Sequence, residues 1–234
     1  MIKKKKLIAI IPVRKGSEGI KNKNLIKIGK KTLLERTIII AKKNKYIDNI
    51  IVTTDCPKML KIAKKYNVEA KNLRPKYLSN SKALTVDVIK YIIKKYLIKK
   101  TYILLLQVTS PMRSSILTDK FLSTFDQNNK ATSAVSVTLQ ESYHPHKTQT
   151  IKNGWLNSLM SFESMLPRQY LPKCYYLNGL FYIAYSETIL KLNSFFSRYT
   201  LPFFIKKKFS LNIDEKEDLI ILDYLKKKKL IPKI

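Results

Sequence analysis

Residues 7–24 read LIAIIPVRKGSEGIKNKN. The first seven are an apolar run, too short to cross a bilayer and of the right length for a buried strand. The run empties into RKGSEGIKNKN (14–24), a loop with two glycines, a serine, an arginine and several lysines. In open α/β sheets ligands bind beyond the carboxyl ends of the strands, and this loop leaves such an end. Gly16 and Gly19 let the backbone turn so that N–H groups converge on an anion. Arg14 can fork onto phosphate oxygens and Lys23 can add a point charge. The loop matches neither G-x-x-x-x-G-K-[ST] nor G-x-G-x-x-G. On these residues alone it reads either as a phosphate loop or as a solvated turn.

Working outward, apolar runs alternate with amphipathic stretches. TLLERTIIIAKKN (32–44) has helical periodicity, with Thr32 and Glu35 spaced as a capping box. NIIVTTD (49–55) reads as a strand, PKMLKIAKKYN (57–67) as a helix with proline at its start, and TVDVIKYIIKKYLIKK (85–100) as a further helix. TYILLLQV (101–108) and SAVSVT (133–138) read as strands around a helix at 116–127. Strand and helix in alternation predict parallel βαβ units. The pattern breaks at about 139–178, which has no clear period and reads as an arm or lid. GLFYIAY (179–185) returns as a strand, 201–214 is extended, and 214–229 closes as a helix with acids first and lysines last. One domain over 1–234 is expected, with the arm as its appendage.

The chain carries 46 Lys and Arg against 16 Asp and Glu, a net charge of +30. Nucleic-acid binding is the obvious hypothesis. However, lysines are spread over every predicted helix, and no helix-turn-helix, zinc-finger or RNP signature is present, so a lysine-rich composition is the reading adopted. Phosphate-driven nucleic-acid binding would weaken steeply with salt. Cys56 and Cys174 match no metal or redox spacing. MIKKKK before LIAIIPV looks faintly like a signal peptide, but it lacks a small-residue cleavage site and runs into Arg14 and Lys15. A cytoplasmic protein without membrane association is expected. His144 and His146 have no companion ligands in the motif and are not read as a metal site. Trp155 reads as a packing contact.

Polar residues gather at the other strand ends: Thr54 and Asp55, then Gln107, Thr109, Ser110 and Arg113, then Asn212 and Asp214. Singly these are turn or cap residues. A parallel sheet delivers them to one rim, where cations suit phosphate and a carboxylate with an amide suits Mg²⁺.

IIPVRKGSEGIKNKN resembles the opening signature of the CMP-sialic acid synthetases (acylneuraminate cytidylyltransferases), IPARGGSKGIPRKN. Further blocks resemble that family in order: IIVTTD, RPKYLS (74–79), LLQVTSPMR (105–113), YHPHK (143–147), LPRQYLPKCYYLNGLFYI (166–183) and SLNIDEKEDL (210–219). They cover about residues 7–220. The resemblance implies a three-layer α/β fold, a mainly parallel sheet flanked by helices like other nucleotide-diphospho-sugar transferases, with an extended dimerisation arm at about 139–178. It implies transfer of CMP from CTP to a nine-carbon 2-keto sugar acid, N-acetylneuraminate or a relative such as legionaminate, with release of pyrophosphate. Pseudaminate and Kdo are the alternative acceptors. Mg²⁺ or another divalent cation and a homodimer are implied as well.

The same resemblance implies roles by position. Arg14, Lys23 and Asp214 are the expected catalytic residues. Arg14, Gly16, Ser17, Lys23, Asn24, Arg74, Ala83 and Thr85 are expected to bind the nucleotide. Gln107, Asn178, Tyr182, Phe195 and Phe196 are expected at the sugar, with Lys147 and Arg168 reaching into a partner's site. Asp214 and Asn212 are the expected metal ligands. The chain departs from the family pattern at Glu18 (lysine in the family), Asn212 (aspartate), Tyr176 (arginine in one branch) and Ser81 (aspartate). No residue stands out as general base.

Overall fold

The structure is a computed structural model that describes residues 1–16, 19–160 and 165–234. Ser17 and Glu18, both singled out above, lie outside the described residues. The elements in order are β1 (Leu7–Pro12), β2 (Lys27–Ile28), β3 (Lys31–Thr32), α1 (Leu33–Lys43), β4 (Asn49–Thr53), α2 (Pro57–Lys65), α3 (Thr85–Lys95) and β5 (Tyr102–Leu105). There follow α4 (Ser115–Gln127), β6 (Ser133–Leu139), β7 (Gln149–Lys152), β8 (Trp155–Ser158), β9 (Tyr175–Tyr185), α5 (Ser186–Leu192), β10 (Thr200–Phe204) and α6 (Lys216–Lys227).

The main sheet has the order β10-β6-β9-β5-β1-β4. β1 pairs in parallel with both β4 and β5, and β10 pairs in parallel with β6. β9 is the exception, antiparallel to β5 and β6. Alternation along each buried strand splits the core into two layers. Leu7, Ala9 and Ile11 face one cluster with Leu104, Phe121 and Leu222. Ile10 faces the other, with Ile51, Ile103 and Ile89 of α3. Strands covered on both sides are apolar at every position, which is why LIAIIP and YILL read as continuous runs.

Local signals account for the helix starts. Thr32 Oγ1 accepts from the Glu35 amide at 3.2 Å while Glu35 Oε2 accepts from the Thr32 amide at 2.8 Å, so the capping box is formed. Burial alone would raise the Glu35 pKa, but bonds from Thr32 and from the Tyr66 hydroxyl hold it below the usual value. In α6 Asp218 caps the amides of Asp214 and Glu215, each at 2.8 Å.

Several elements differ from the sequence reading. α3 stops at Lys95, because Leu97 takes a positive φ of 51° and ends the helix. β9 begins at Tyr175 and runs 11 residues, longer than the strand expected over 179–185. α5 was not anticipated. The expected arm holds a hairpin, β7–β8, closed by Asn153 and Gly154 at φ 51° and 83°, the two-residue turn that an Asn-Gly pair favours.

Phe121 anchors the larger core cluster. It is 1% exposed, stacks on Phe181 at 4.8 Å and meets Phe203 edge-on at 5.3 Å. Phe121→Ala is expected to cost about 3–5 kcal/mol, through lost transfer energy and the cavity left behind. Urea unfolding followed by circular dichroism checks this, and a cost near zero would mean the cluster collapses freely around the gap.

Candidate active site

β1, β4 and β5 are parallel, so their carboxyl ends share one rim. β9 runs the other way, with Tyr182 opposite Leu105, so Asn178 and Gly179 sit just beyond the end of β5, beside Gln107. A cleft of about 360 Å³ opens at this rim. Of the expected residues, Arg14, Lys23, Asn24, Arg74, Ala83, Thr85, Gln107, Asn212 and Asp214 line it.

Each is held by its local structure. Asn24 is buried and donates through Nδ2 to the Arg14 carbonyl at 3.1 Å, fastening the two ends of the glycine loop. Asp55 accepts from the Lys15 amide at 2.8 Å, tying the start of that loop to the end of β4. Arg74 is buried, with its amide bound to the Thr54 carbonyl and its Nε donating to Ser79 Oγ at 3.1 Å. Burial lowers the Arg74 pKa most, Asp55 works against that, and the charge of Arg14 adds to the lowering. Two arginines close enough to repel, with one carboxylate between them in charge terms, leave this end of the cleft short of negative charge. A polyanion would satisfy it.

Also in the lining, Lys23 Nζ pairs with Asp214 Oδ1 at 2.8 Å, and Asn212 Nδ2 donates to Asp214 Oδ2. Asn212 Oδ1 is buried and has no hydrogen-bond partner among the described residues. Gly19 lies against this segment so closely that a Cβ there would sit 2.5 Å from the Asp214 carbonyl oxygen.

An orphaned amide oxygen next to a carboxylate is compatible with a hard cation. Mg²⁺ takes one or two carboxylates and completes its shell with water and substrate phosphates. Asp214 would be the carboxylate and Asn212 Oδ1 the second protein oxygen once the amide turns and Lys23 gives way. No cluster of three His, Cys, Asp or Glu exists among the described residues, so any cation here would depend on its ligand's oxygens.

Of the other expected residues, Ser17 lies outside the described residues, and Gly16, Asn178, Tyr182, Phe195, Phe196, Lys147 and Arg168 do not line the cleft. Gly16 is on the exposed shoulder of the loop. Asn178 is expected at the sugar, but its side chain points into the sheet: Nδ2 donates to Thr138 Oγ1 at 2.9 Å, while Oδ1 accepts from Ser136 Oγ at 2.6 Å and from the Leu180 amide at 3.2 Å. All its bonds are internal because the β6–β9 register shifts between Val135 and Val137, and the amide fills the irregularity. Tyr182 packs edge-on against Phe195 at 6.0 Å beneath α3 and α5, and burial raises its pKa. Phe195 is buried and Phe196 half-exposed. Lys147 and Arg168 line a separate hollow of about 490 Å³ with Tyr143 and His144. His144 is a structural residue there, its ring accepting from the His146 amide and bonding the Pro172 carbonyl. Tyr176, in place of the arginine of one branch, bonds Ser210 Oγ at 2.8 Å.

Thr109, expected at the rim without a specific role, lines the cleft, as does Ser81, noted only as a departure; Asn80 also lines it and was not named from the sequence. Asn80 caps its own turn, accepting from the Lys82 amide and donating to the Tyr77 carbonyl. Its place between Arg74 and Thr85 was the available signal.

Comparison with known proteins gives a family, two relatives and a solved structure. The family model described as "Cytidylyltransferase" matches residues 8–183. An N-acylneuraminate cytidylyltransferase of Escherichia coli is 34% identical over 232 residues, covering 98% of this chain and 54% of that protein. The chain therefore spans about half the length of that relative. A CMP-N,N'-diacetyllegionaminic acid synthase of Campylobacter jejuni is 27% identical and is covered almost end to end, 94% of each chain. Among solved structures, a CMP:2-keto-3-deoxy-manno-octonic acid synthetase complexed with CTP has the same fold, with a TM-score of 0.70 over 96% of this chain and 99% of that one at 14% identity.

Proposed function

The chain belongs to the cytidylyltransferase family, and from that membership we propose that it transfers CMP from CTP to a nine-carbon 2-keto sugar acid. N-acetylneuraminate or a relative such as legionaminate is the acceptor proposed, following the names of the relatives. The observation that carries the reading is the gathering of Arg14, Lys23, Arg74 and Asp214 in one cleft at the strand ends.

In this reading the triphosphate lies along Arg14, Lys23 and the glycine loop. The anomeric hydroxyl of the acid attacks the α-phosphorus and gives its proton to solvent, the bond from that phosphorus to the bridging oxygen breaks, and pyrophosphate leaves with that oxygen. Arg14 and Lys23 offset the negative charge that grows on the leaving group, which positioning and electrostatics are suited to stabilise. Lys23 can do so only after exchanging its Asp214 partner for phosphate. Asp214 and Asn212 would hold a divalent cation, which when bound neutralises charge on the phosphate oxygens. Gln107 faces the acceptor and Arg74 the nucleoside.

The protein is proposed to act as a homodimer. Ile151, Trp155, Leu156 and Tyr170 of the arm are each more than 70% exposed, an apolar surface that a second copy would cover. Lys147 and Arg168 would then reach the partner's acceptor. No helix among the described residues is long and apolar enough to cross a membrane, and a cytoplasmic location, where CTP is available, is part of the proposal.

Calorimetry tests the nucleotide half. CTP with Mg²⁺ is expected to bind once per chain, and ATP and GTP about tenfold or more weakly, because unpaired base edges in a fitted site are costly. Equal binding of all three, lost steeply with salt, would point instead to non-specific attraction by the net charge.

A further inference from the structure

Among the described residues Arg113 heads the largest fully buried side chains, 1% exposed. It lies behind the cleft and is not part of its wall. Among the described residues it pairs with no carboxylate. Its Nη2 donates to the Gln107 carbonyl at 2.7 Å and to the Leu180 carbonyl at 2.9 Å, and Nε reaches the same Leu180 oxygen at 3.3 Å. The guanidinium also lies over the Phe181 ring, 5.6 Å from its centre. Nη1 has no partner among the described residues. Burial pulls the Arg113 pKa down to about 9, so the group is still charged at neutral pH.

An unpaired buried charge is an expensive way to fill space, and an apolar side chain of similar size would do so at lower cost. What only arginine supplies here is a rigid fork of donors. The fork joins two segments far apart in the sequence, the loop after β5 and the bulged start of β9. Two further contacts run along the same seam. Ser110 Oγ reaches the Gly179 carbonyl at 3.4 Å, and the Thr109 carbonyl accepts from the Ile213 amide at 2.8 Å, next to Asn212 and Asp214. The Gln107 side chain rests on bare Gly179, where a Cβ would come within 2.6 Å of Gln107 Oε1. Gly179 has a φ of +76°, which suits glycine.

We propose that Arg113 is a positioning residue for the acceptor: by clamping the carbonyls of Gln107 and Leu180 it sets where the Gln107 amide stands in the cleft. The proposal rests on the reading of the cleft given above. It distinguishes Arg113 from a general core residue because the clamp acts on the Gln107 side of the cleft and not on the Arg14–Arg74 side.

The test compares Arg113→Lys, Gln107→Ala and the double variant in steady-state kinetics, using whichever acid the unaltered protein turns over. Arg113→Lys keeps the charge and loses the fork. It is expected to raise KM for the acid about tenfold or more while KM for CTP changes less than about twofold, since misplacing a substrate contact by about 1 Å is enough for such a loss. The double variant is expected to be no worse than Gln107→Ala alone, because Arg113 acts through Gln107. Additive losses, or equal rises in both KM values, would overturn the proposal. If Arg113→Lys does not fold, Gly179→Ala displaces the same amide from the other side, and it must show the same selective rise in acid KM.

If the unaltered protein turns over no acid, the functional reading has failed before any variant is made. The clamp is then read directly from the Gln107 side-chain amide resonances in ¹⁵N-labelled protein. They are expected to move in Arg113→Lys, and unchanged resonances would overturn the clamp.

Discussion

Asp214→Ala is expected to lower kcat/KM by about two to three orders of magnitude, the range seen when one group that stabilises transition-state charge is removed. The protein should stay folded. The Asp214 side chain is 56% exposed, and its partner Lys23 is 18% exposed, so the pair is closer to a surface ion pair than to a buried one and contributes little to stability. The Asp214 amide, which Asp218 caps, is untouched by the change. The loss should come from the carboxylate that would hold the divalent cation, since Lys23 has to leave Asp214 in order to act. Varying Mg²⁺ tests this. If the carboxylate matters as a ligand, the Mg²⁺ concentration for half-maximal rate rises sharply in a milder Asp214→Asn variant. A rate unchanged in both variants would remove Asp214 from the mechanism.

The second large effect concerns Gly19. The atom that a new Cβ would strike is the Asp214 carbonyl oxygen at 2.5 Å, with the Asp214 carbon at 3.6 Å and the Glu215 Cα at 3.8 Å behind it. These are backbone atoms and cannot rotate away. In Gly19→Ala either the glycine loop or the segment entering α6 must shift, and either shift separates Arg14 and Lys23 from Asp214. A displacement of about 1 Å can cost about a hundredfold in rate, and that is the expected fall in kcat/KM. Stability should fall by about 1–3 kcal/mol, as overpacking does, a melting shift of several degrees for a chain of this size. Wild-type activity in Gly19→Ala would mean that the loop and Asp214 do not need to stay in register.

The fold was legible where burial is two-sided. LIAIIP and YILL can hardly be anything but covered parallel strands, and the Thr32–Glu35 box marks the start of α1 without ambiguity. Strand direction was not legible at β9. YYLNGLFYIAY has the same composition in either direction, and its reversal is fixed by pairing with both β5 and β6. The seven-residue α5 is too short to show a period. The β7–β8 hairpin did carry a signal, the Asn153-Gly154 pair, hidden by the mixed polarity around it.

The site divides in the same way. Residues on loops that leave strand ends, such as Arg14, Gln107 and Asp214, reach the cleft because the sheet delivers them there. Asn178 was expected beside them, but its amide partners Ser136 and Thr138 lie about forty positions earlier, a distance over which sequence pattern gives no guidance. Arg113 shows the reverse case. It stands within a quoted motif, yet its burial, which decides its role, could be seen only in three dimensions.

The most direct measurement is pyrophosphate release by the purified, folded protein with CTP and Mg²⁺, supplied separately with N-acetylneuraminate, legionaminate, pseudaminate and Kdo. The account predicts release with a nine-carbon acid, N-acetylneuraminate or legionaminate, and CMP-sugar formed in equal amount. Release with none of the four, in protein that binds CTP, would contradict it.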